Sequence, residues 1–167
     1  AAGRSGEPRY TALGLALRSR SDSAVRLLLD AGADVRAPGS NPPAIHLACE
    51  YGCAGDNFGK IIKAMDGDVS VTGEAGGGDG GAGSSKYAAT PLHIAAESGQ
   101  VELVKTLVAQ PTCDVNAQRA SDGSTALNLA VKGGHVEMVR TLVEDGKCDC
   151  TVAGFPVAAE GEGEGEG

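Results

Sequence analysis

The sequence predicts an all-α fold, a solenoid in which antiparallel pairs of short helices stack side by side. One sequence pattern occurs four times along the 167 residues. Each copy has two short stretches with apolar residues at helical spacing, and neither stretch is long enough to form a stable helix alone in water. Apolar residues make up 41% of the chain and aromatic residues only 3%, so a core must be built from aliphatic side chains. Stacking like copies supplies the burial that a single copy lacks.

The third copy shows the pattern most fully. Thr90 is a favourable N-cap, and Pro91 suits the first helical position, where its missing N–H costs nothing. Gly99 stands where a left-handed residue should end that helix. One face of the first helix presents Leu92, Ala95 and Ala96. The second helix has an apolar stripe with i, i+1, i+4, i+5 spacing, which consists of Leu103, Val104, Leu107 and Val108.

The remaining segments follow in chain order. We expect residues 1–9 to be an N-terminal segment left by a cut or linker in a longer reading frame, because the chain does not begin with Met. Repeat 1 takes residues 10–37, repeat 2 takes 38–71, repeat 3 takes 87–117 and repeat 4 takes 118–153. A Gly-rich insertion, residues 72–86, separates repeats 2 and 3, and a tail, residues 154–167, ends in Glu-Gly steps. Composition predicts that both are flexible.

Repeat 2 departs from the pattern. Pro43 replaces the capping Thr, five extra residues (53–57) follow the first helix, and the second helix is shortened between Met65 and Val69. We expect the junction between repeats 2 and 3 to be the weakest point of the stack. Repeats 3 and 4 should form its stable end.

The pattern resembles the ankyrin repeat family over about residues 10–153. The resemblance rests on Thr-Pro-Leu-His-x-Ala at Thr90–Ala95, a near match at Ala44–Ala48, and Gly-Ala-Asp-Val at Gly32–Val35. It implies a β-hairpin finger beside each helix pair. It also implies that the chain binds other proteins and has no catalytic activity of its own.

Composition and motifs argue against other function classes. The net charge of −8 disfavours nonspecific binding to nucleic acid and to anionic lipid, and no apolar run is long enough to insert in a membrane. Gly76, Gly78 and Gly81 match the letters of a phosphate loop, but Asp79 lies among them and would repel a phosphate. No nucleophile elbow or HExxH pair is present. We therefore expect no enzyme activity and no cofactor.

The histidines have structural positions in the repeat register. His46 and His93 occupy the histidine position of the family motif, whose role in the family is to hydrogen-bond across the turn and to the next repeat. Gly14 and Asn128 replace this histidine in repeats 1 and 4, so that bond should be absent or altered there. The resemblance therefore implies a stacking role for these side chains.

The cysteines are also explained by the register. Four of the five fill small apolar positions that suit a buried thiol, which leaves Cys53 as the one expected to be exposed. The spacings Cys49-x3-Cys53 and Cys148-x-Cys150 are poor for zinc, so no metal site is expected. An odd number of cysteines without a disulfide-type pattern favours an intracellular, cytoplasmic location.

The resemblance places the contacts to a protein partner on a concave surface. The family contact positions are the finger residues and the two positions before the inter-helix glycine. On the first helices these are Arg18, Ser19, Glu50, Tyr51, Glu97, Ser98, Lys132 and Gly133, and in the fingers they are Arg36, Asn41, Lys86, Tyr87, Arg119, Ser121 and Asp122. Tyr51 and Tyr87 are the expected hot spots, because Tyr and Arg dominate the energetics of such surfaces.

Two other functions remain open. The chain could be the regulatory or targeting region of a larger enzyme or channel, or a small inhibitor that occludes one target. We expect the isolated chain to be a monomer, although an exposed last repeat would promote self-association. The charges on the concave surface alternate in sign, so the sequence predicts neither an acidic nor a basic partner.

Overall fold

A computed structural model describes residues 10–37, 42–53, 55–72, 89–119 and 122–151. The predicted N-terminal segment, the tail and nearly all of the Gly-rich insertion lie outside these ranges. Within them the chain forms eight α-helices and no strand. The helices are α1 Ala12–Arg18, α2 Asp22–Asp30, α3 Ala44–Tyr51, α4 Gly55–Ala64, α5 Pro91–Glu97, α6 Val101–Val108, α7 Ala126–Lys132 and α8 Val136–Glu144. The all-α prediction is confirmed, and the β-hairpin fingers stay a prediction.

The helices pair in chain order, and the pairs stack in the same order. The contacts within pairs are α1 with α2, α3 with α4, α5 with α6 and α7 with α8. The first helices of the pairs form one layer, in which α3 lies between α1 and α5, and α5 lies between α3 and α7. The second helices form the other layer in the same sequence. This is the two-layer solenoid that the four copies predict.

The core lies between the two layers and is mainly aliphatic. Each first helix buries a large side chain in one slot of the register, occupied by Leu13, Ile45, Leu92 and Leu127. Three residues further on, each buries an alanine, occupied by Ala16, Ala48, Ala95 and Ala130. A small side chain at this point lets adjacent first helices approach closely. The second helices contribute buried residues such as Val104, Leu107 and Met138.

Threonine precedes three of the first helices, and the group that its hydroxyl binds depends on the residue three positions further on. The Thr11 side chain accepts a hydrogen bond from the backbone N–H of Gly14 at 3.1 Å, and the Thr125 side chain accepts one from Asn128 at 3.3 Å. Thr90 Oγ1 instead lies 2.7 Å from Nδ1 of His93. The hydroxyl therefore caps the backbone in the two repeats that lack the histidine, and binds the imidazole where it is present.

An aspartate closes the same turn after every second helix. In each repeat one Oδ1 accepts a hydrogen bond from the backbone N–H two residues further on, an Asx turn. The four aspartates are Asp34, Asp68, Asp114 and Asp149, with distances of 2.8, 3.1, 3.0 and 2.8 Å. Because the turn recurs in repeat 2, all four copies share one register.

Repeat 2 is more regular than the sequence predicts. Three residues separate the two helices of every pair, α3 and α4 included. Residues 53–57 are therefore not an added loop, and α4, with ten residues, is not shortened. Both predictions are wrong. Gly55 and Gly59 disfavour a helix locally, but complete burial of Phe58 in the core overrides that propensity.

Candidate protein-interaction surface

The first helices of repeats 1, 3 and 4 end in one slot of the register, and that of repeat 2 ends one residue after it. The residue in this slot changes from repeat to repeat. We call Arg18, Glu50, Glu97 and Lys132 the helix-end row. Arg18, Glu97 and Lys132 are exposed, and Glu50 is half-buried. Along the stack the charges run positive, negative, negative, positive. The residues of the row thus differ from repeat to repeat, whereas the core positions of the same helices are filled by similar residues in every repeat.

Aromatic residues support the row near its N-terminal end. The guanidinium carbon of Arg18 lies 5.2 Å from the centroid of the Tyr10 ring, a distance at which a cation and an aromatic face attract. Tyr51 follows Glu50 directly, is half-buried and packs against the core. Tyr51 is therefore partly held by the core and partly accessible to solvent. Tyr87, the second expected hot spot, lies outside the described residues, as do Asn41, Lys86 and Ser121.

Three of the predicted contact residues form one ionic network. Nη1 of Arg119 lies 3.6 Å from Oε2 of Glu97, and Nε of Arg119 donates to Oδ1 of Asp122 at 2.9 Å. Nη2 of Arg119 donates to the other Asp122 oxygen. Only 16% of the Arg119 side chain is exposed. Its hydrogen bonds hold the pKa of Asp122 well below the usual range, so the guanidinium is committed to its own chain and acts first as a structural group.

A tight turn brings these residues together. The backbone N–H of Arg119 donates to the Ser124 carbonyl at 2.9 Å, and the Gly123 N–H donates back to the Arg119 carbonyl at 2.7 Å. Gly123 has a φ of +64°, a conformation that glycine adopts without strain. The Asp-Gly pair before the capping Thr125 is typical of such a turn. The turn was predictable, whereas the pairing of Arg119 with Glu97 was not.

His93 anchors both ends of this turn segment to α5. Its Nδ1 accepts from the Thr90 hydroxyl, and its Nε2–H donates to the carbonyls of Ala117 at 2.9 Å and Ser124 at 3.0 Å. Burial lowers the pKa of His93, which keeps the ring neutral. His46 makes the corresponding link one repeat earlier, because its Nε2 donates to the Ala89 carbonyl at 2.8 Å. Both histidines therefore have the stacking role that the resemblance implies.

Arg36 also links repeats. Its Nη2 donates to the Met65 carbonyl at 2.6 Å and lies 3.6 Å from the Asp68 carboxylate of repeat 2. Asn116 occupies the same slot in repeat 3, and its side-chain oxygen accepts from the Asp149 N–H at 2.8 Å. The sequence predicts Arg36 as a residue that contacts the partner, and it does not predict this link between repeats. A polar residue directly after Asp-Val in both repeats could have indicated it.

The junction between repeats 2 and 3 has a cleft of about 440 Å³ between α4 and α6. It is lined by Gly59, Ile62, Lys63, Asp66, Gly67, Thr106 and Gln110. Below it, Thr112 bridges the two repeats, because its Oγ1 accepts from the Val69 N–H at 3.2 Å and donates to the Gly67 carbonyl at 2.5 Å. A cleft on the second-helix layer was not predicted from the sequence. A cleft of about 410 Å³ also lies between α2 and α4, so the weak junction between repeats 2 and 3 stays a prediction.

The cysteines require two corrections, because Cys53, expected to be exposed, is buried, and Cys150, expected to be buried, is exposed. Cys53 is only 8% exposed and belongs to the core, because the chain passes straight into α4 instead of looping out. Burial raises the pKa of Cys53 to about 12 and that of Cys113 to about 11. Cys150 is the exposed cysteine. All five cysteines are free, and the described ranges contain no cluster of three or more His, Cys, Asp or Glu that could hold a metal ion.

The comparisons with known proteins agree with the repeat architecture. No helix in the described parts of the chain has both the length and the apolar character needed to cross a membrane. No curated protein matches the chain. Residues 77–153, which contain α5 to α8, match the family model described as ankyrin repeats (3 copies). Residues 77–153 therefore contain ankyrin repeats, and this match supports the ankyrin repeat family that the sequence pattern resembles.

Proposed function

We propose that the chain is a non-catalytic module that binds a protein partner through a concave surface formed by the helix-end row and the fingers. Ankyrin repeats are generally protein–protein interaction modules. One observation carries the proposal: the core slots repeat from copy to copy, whereas the helix-end row changes its residue and its charge. A surface that varies on a constant scaffold can be fitted to one partner without loss of the stack.

The contacts divide into two groups. Arg18, Glu50, Tyr51 and Lys132 present charge or aromatic surface directly to a partner. Glu97, Arg119 and Asp122 form a preformed network, which offers its carboxylate oxygens at little cost in side-chain entropy. The proposal also includes Ser98 and Arg36, and it includes Tyr87 and Ser121 as residues of the predicted fingers. In this proposal the helix pairs are antiparallel and the fingers are β-hairpins.

The proposal extends to location and context. Five free cysteines suit a reducing, intracellular compartment such as the cytoplasm. The chain would use the same surface as the regulatory or targeting region of a larger enzyme or channel. The full transcript on both sides of residues 1–167 distinguishes such a region from a separate binding module.

The test is a comparison of two charge swaps that leave the net charge unchanged. Glu50→Lys combined with Lys132→Glu reverses two residues of the helix-end row. Lys63→Glu combined with Glu137→Lys reverses two exposed residues of the second-helix layer and serves as the matched control. Each immobilised chain is used to capture proteins from a cell extract, after circular dichroism has shown equal helicity. We expect a protein that the wild type and the control retain and that the helix-end variant loses.

A second variant examines the aromatic contact. Tyr51→Ala should weaken capture of that same protein by about tenfold or more, as truncation of a central hot spot does. Capture that survives both the charge swap and Tyr51→Ala would place the binding surface elsewhere and refute the proposal.

A further inference from the structure

The first helices carry formal charge at one position only. Counting Asp, Glu, Lys and Arg, each of the four first helices contains a single charged residue, and in every case it belongs to the helix-end row. Each second helix, in contrast, contains charges of both signs, and some of these pair within the layer, such as Lys105 with Glu102 and Lys60 with Asp30. The row therefore holds all the formal charge of the first-helix layer.

The positions next to the row on the same helices and turns are neutral. One helical turn before it, the four residues are Gly14, His46, His93 and Asn128. Burial lowers the pKa of both imidazoles, so they carry no charge at pH 7. The slot directly after the row holds the uncharged residues Ser19, Tyr51, Ser98 and Gly133. A partner that approaches this edge of the first helices therefore meets the row charges one repeat at a time.

In repeat 3 the row residue belongs to the ionic network, and the network as a whole is negative. Arg119 contributes one positive charge, and Glu97 and Asp122 contribute two negative charges. Asp122 stays ionised because the hydrogen bonds from Arg119 hold its pKa well below the usual range. Only 16% of the Arg119 side chain is exposed, against 47% of the Glu97 side chain. The charge that repeat 3 presents is therefore that of a carboxylate.

The four charges have a defined order and spacing. They run positive, negative, negative and positive from Arg18 through Glu50 and Glu97 to Lys132. Neighbouring first helices pack against each other, and packed helices lie about 8–10 Å apart, so the row charges recur at steps of about that length. In an α-helix, about seven residues rise about 10.5 Å and complete nearly two turns. Every seventh residue of a partner helix can therefore face one repeat after another.

Other conformations of a partner segment fit this surface less well. An added β-strand needs an exposed sheet edge, and the described residues contain no strand. A polyproline segment binds in a groove lined with aromatic rings. Of the described aromatic residues, Phe58 is buried in the core, the Tyr10 ring lies against Arg18, and Tyr51 alone stands in the slot beside the row. An α-helix needs neither feature, because it satisfies its own backbone hydrogen bonds.

We infer that the helix-end row selects a partner helix by the order of its charges, which is acidic, basic, basic and acidic at every seventh residue of one face. The inference deepens the proposed function and rests on it, since it names the kind of partner that the same surface binds. Acidic residues of the partner meet Arg18 and Lys132, and its basic residues meet Glu50 and Glu97, with Tyr51 as an aromatic neighbour for a cation. A helix with the opposite order is repelled in every repeat, although its net charge is the same.

Two helical peptides of equal composition test the inference on the full chain. Both consist of alanine and glutamine with a charged residue at every seventh position, in the order Asp, Lys, Lys, Asp in one and Lys, Asp, Asp, Lys in the other. Both orders read the same from either end, so the direction in which a peptide lies does not affect the comparison. Fluorescence anisotropy at low salt measures binding. We expect the wild type to bind the first peptide about tenfold or more tightly than the second, and higher salt to reduce this ratio.

Charge variants of the chain give graded expectations. Lys132→Glu, at an exposed position, leaves three of the four repeats matched to the first peptide and should halve the logarithm of the affinity ratio. Glu50→Lys combined with Lys132→Glu matches each peptide in two repeats and should remove the preference. Lys63→Glu combined with Glu137→Lys, on the second-helix layer, is the matched control and should keep the wild-type ratio. Circular dichroism checks that each variant keeps its helicity, and the single variant suffices if the double one does not.

Three results would overturn the inference. They are equal affinity of the wild type for the two peptides, no binding of either peptide, and a preference that survives Lys132→Glu and the double variant unchanged. Tighter binding of a polyproline peptide with the same charge order at every third residue would overturn the helical form of the partner. The proposed function fails by a different result, which is capture from a cell extract that survives the double charge swap and Tyr51→Ala.

Discussion

Buried imidazoles join neighbouring helix pairs, and their protonation state decides whether they can do so. His46 is fully buried and donates from Nε2 to the Ala89 carbonyl of the next repeat. Desolvation lowers its pKa to about 4, against an ordinary value of 6.5. The folded chain therefore resists a proton that the unfolded chain accepts. The contribution of His46 to stability is complete above about pH 6.5 and is lost as the pH falls toward 4.

Replacement of His46 should flatten the pH dependence of stability. For the wild type, the free energy of unfolding should fall by about 2 kcal/mol between pH 7 and pH 5 through His46 alone. His46→Asn, which places the residue of repeat 4 in this slot, should lower the free energy of unfolding at pH 7. The variant should also lack the decrease of about 2 kcal/mol between pH 7 and pH 5 that His46 causes. Urea denaturation at both pH values measures it. His93 is present in both chains, so an equal fall in wild type and variant would show that His46 does not titrate as its burial indicates.

A single truncation in α6 tests the register of the second helices. Leu107 is completely buried between the layers. Leu107→Ala should lower the free energy of unfolding by about 2 to 5 kcal/mol, because it removes buried methyl groups and leaves a cavity. Lys105→Ala, on the exposed side of the same helix, is the control and should change it by less than about 0.5 kcal/mol. A loss below about 1 kcal/mol at Leu107 would mean that the side chain does not lie in the core.

At the scale of the helices, pattern and packing disagree only in α4. The apolar stripes and caps of repeats 1, 3 and 4 are visible in the sequence because each helix there follows its own propensity. In α4 two glycines lower the helix propensity, and the burial of Phe58 and Cys53 in the core stabilises the helix despite them. The sequence of one chain does not show which helices pack together to form that core. The pairing of Arg119 with Glu97 and Asp122 escaped prediction for a similar reason, since it depends on how the turn folds back over α5.

The glycines around α4 differ in what an added methyl group would meet. A Cβ on Gly59 would have no atom within 4 Å, and Gly59 lies inside the helix. Gly59→Ala should therefore raise the free energy of unfolding by about 0.5 to 1 kcal/mol. Gly52 has a φ of +74°, and a Cβ there would come within 2.9 Å of the Gln100 amide. Gly52→Ala should be destabilising, and equal effects in denaturant melts would contradict this account of α4.

At the scale of the whole molecule, stability is divided among neighbouring repeats. The principal helix contacts join each pair to the pair before it and the pair after it. A solenoid of this kind is held together by its nearest-neighbour interfaces, and its weakest interface decides where it opens. Among the second helices, α4 and α6 contact each other least, which makes the junction of repeats 2 and 3 the candidate for that point. Repeats 3 and 4 have the more continuous contact.

Shortening the insertion tests whether repeats 3 and 4 depend on it. Deletion of residues 73–84 removes no residue of the described core, so α5 to α8 should stay folded and the free energy of unfolding should change by less than about 1 kcal/mol. Hydrogen exchange at the amides of α6 and α8 measures this for those repeats alone. Loss of protection there would mean that the insertion supports the stack, and that its glycine-rich composition misled the sequence interpretation.

The Thr112 bridge has a consequence for how much chain can be placed between repeats 2 and 3. It closes a segment of 45 residues, from Gly67 to Thr112, whereas the link from Asn116 to Asp149 closes 33. The extra length costs only about 0.3 kcal/mol of closure entropy, because that cost grows with the logarithm of the length. An independently folding domain whose ends lie close together could therefore be inserted after residue 72, and the ankyrin stack would carry it at nearly the same stability.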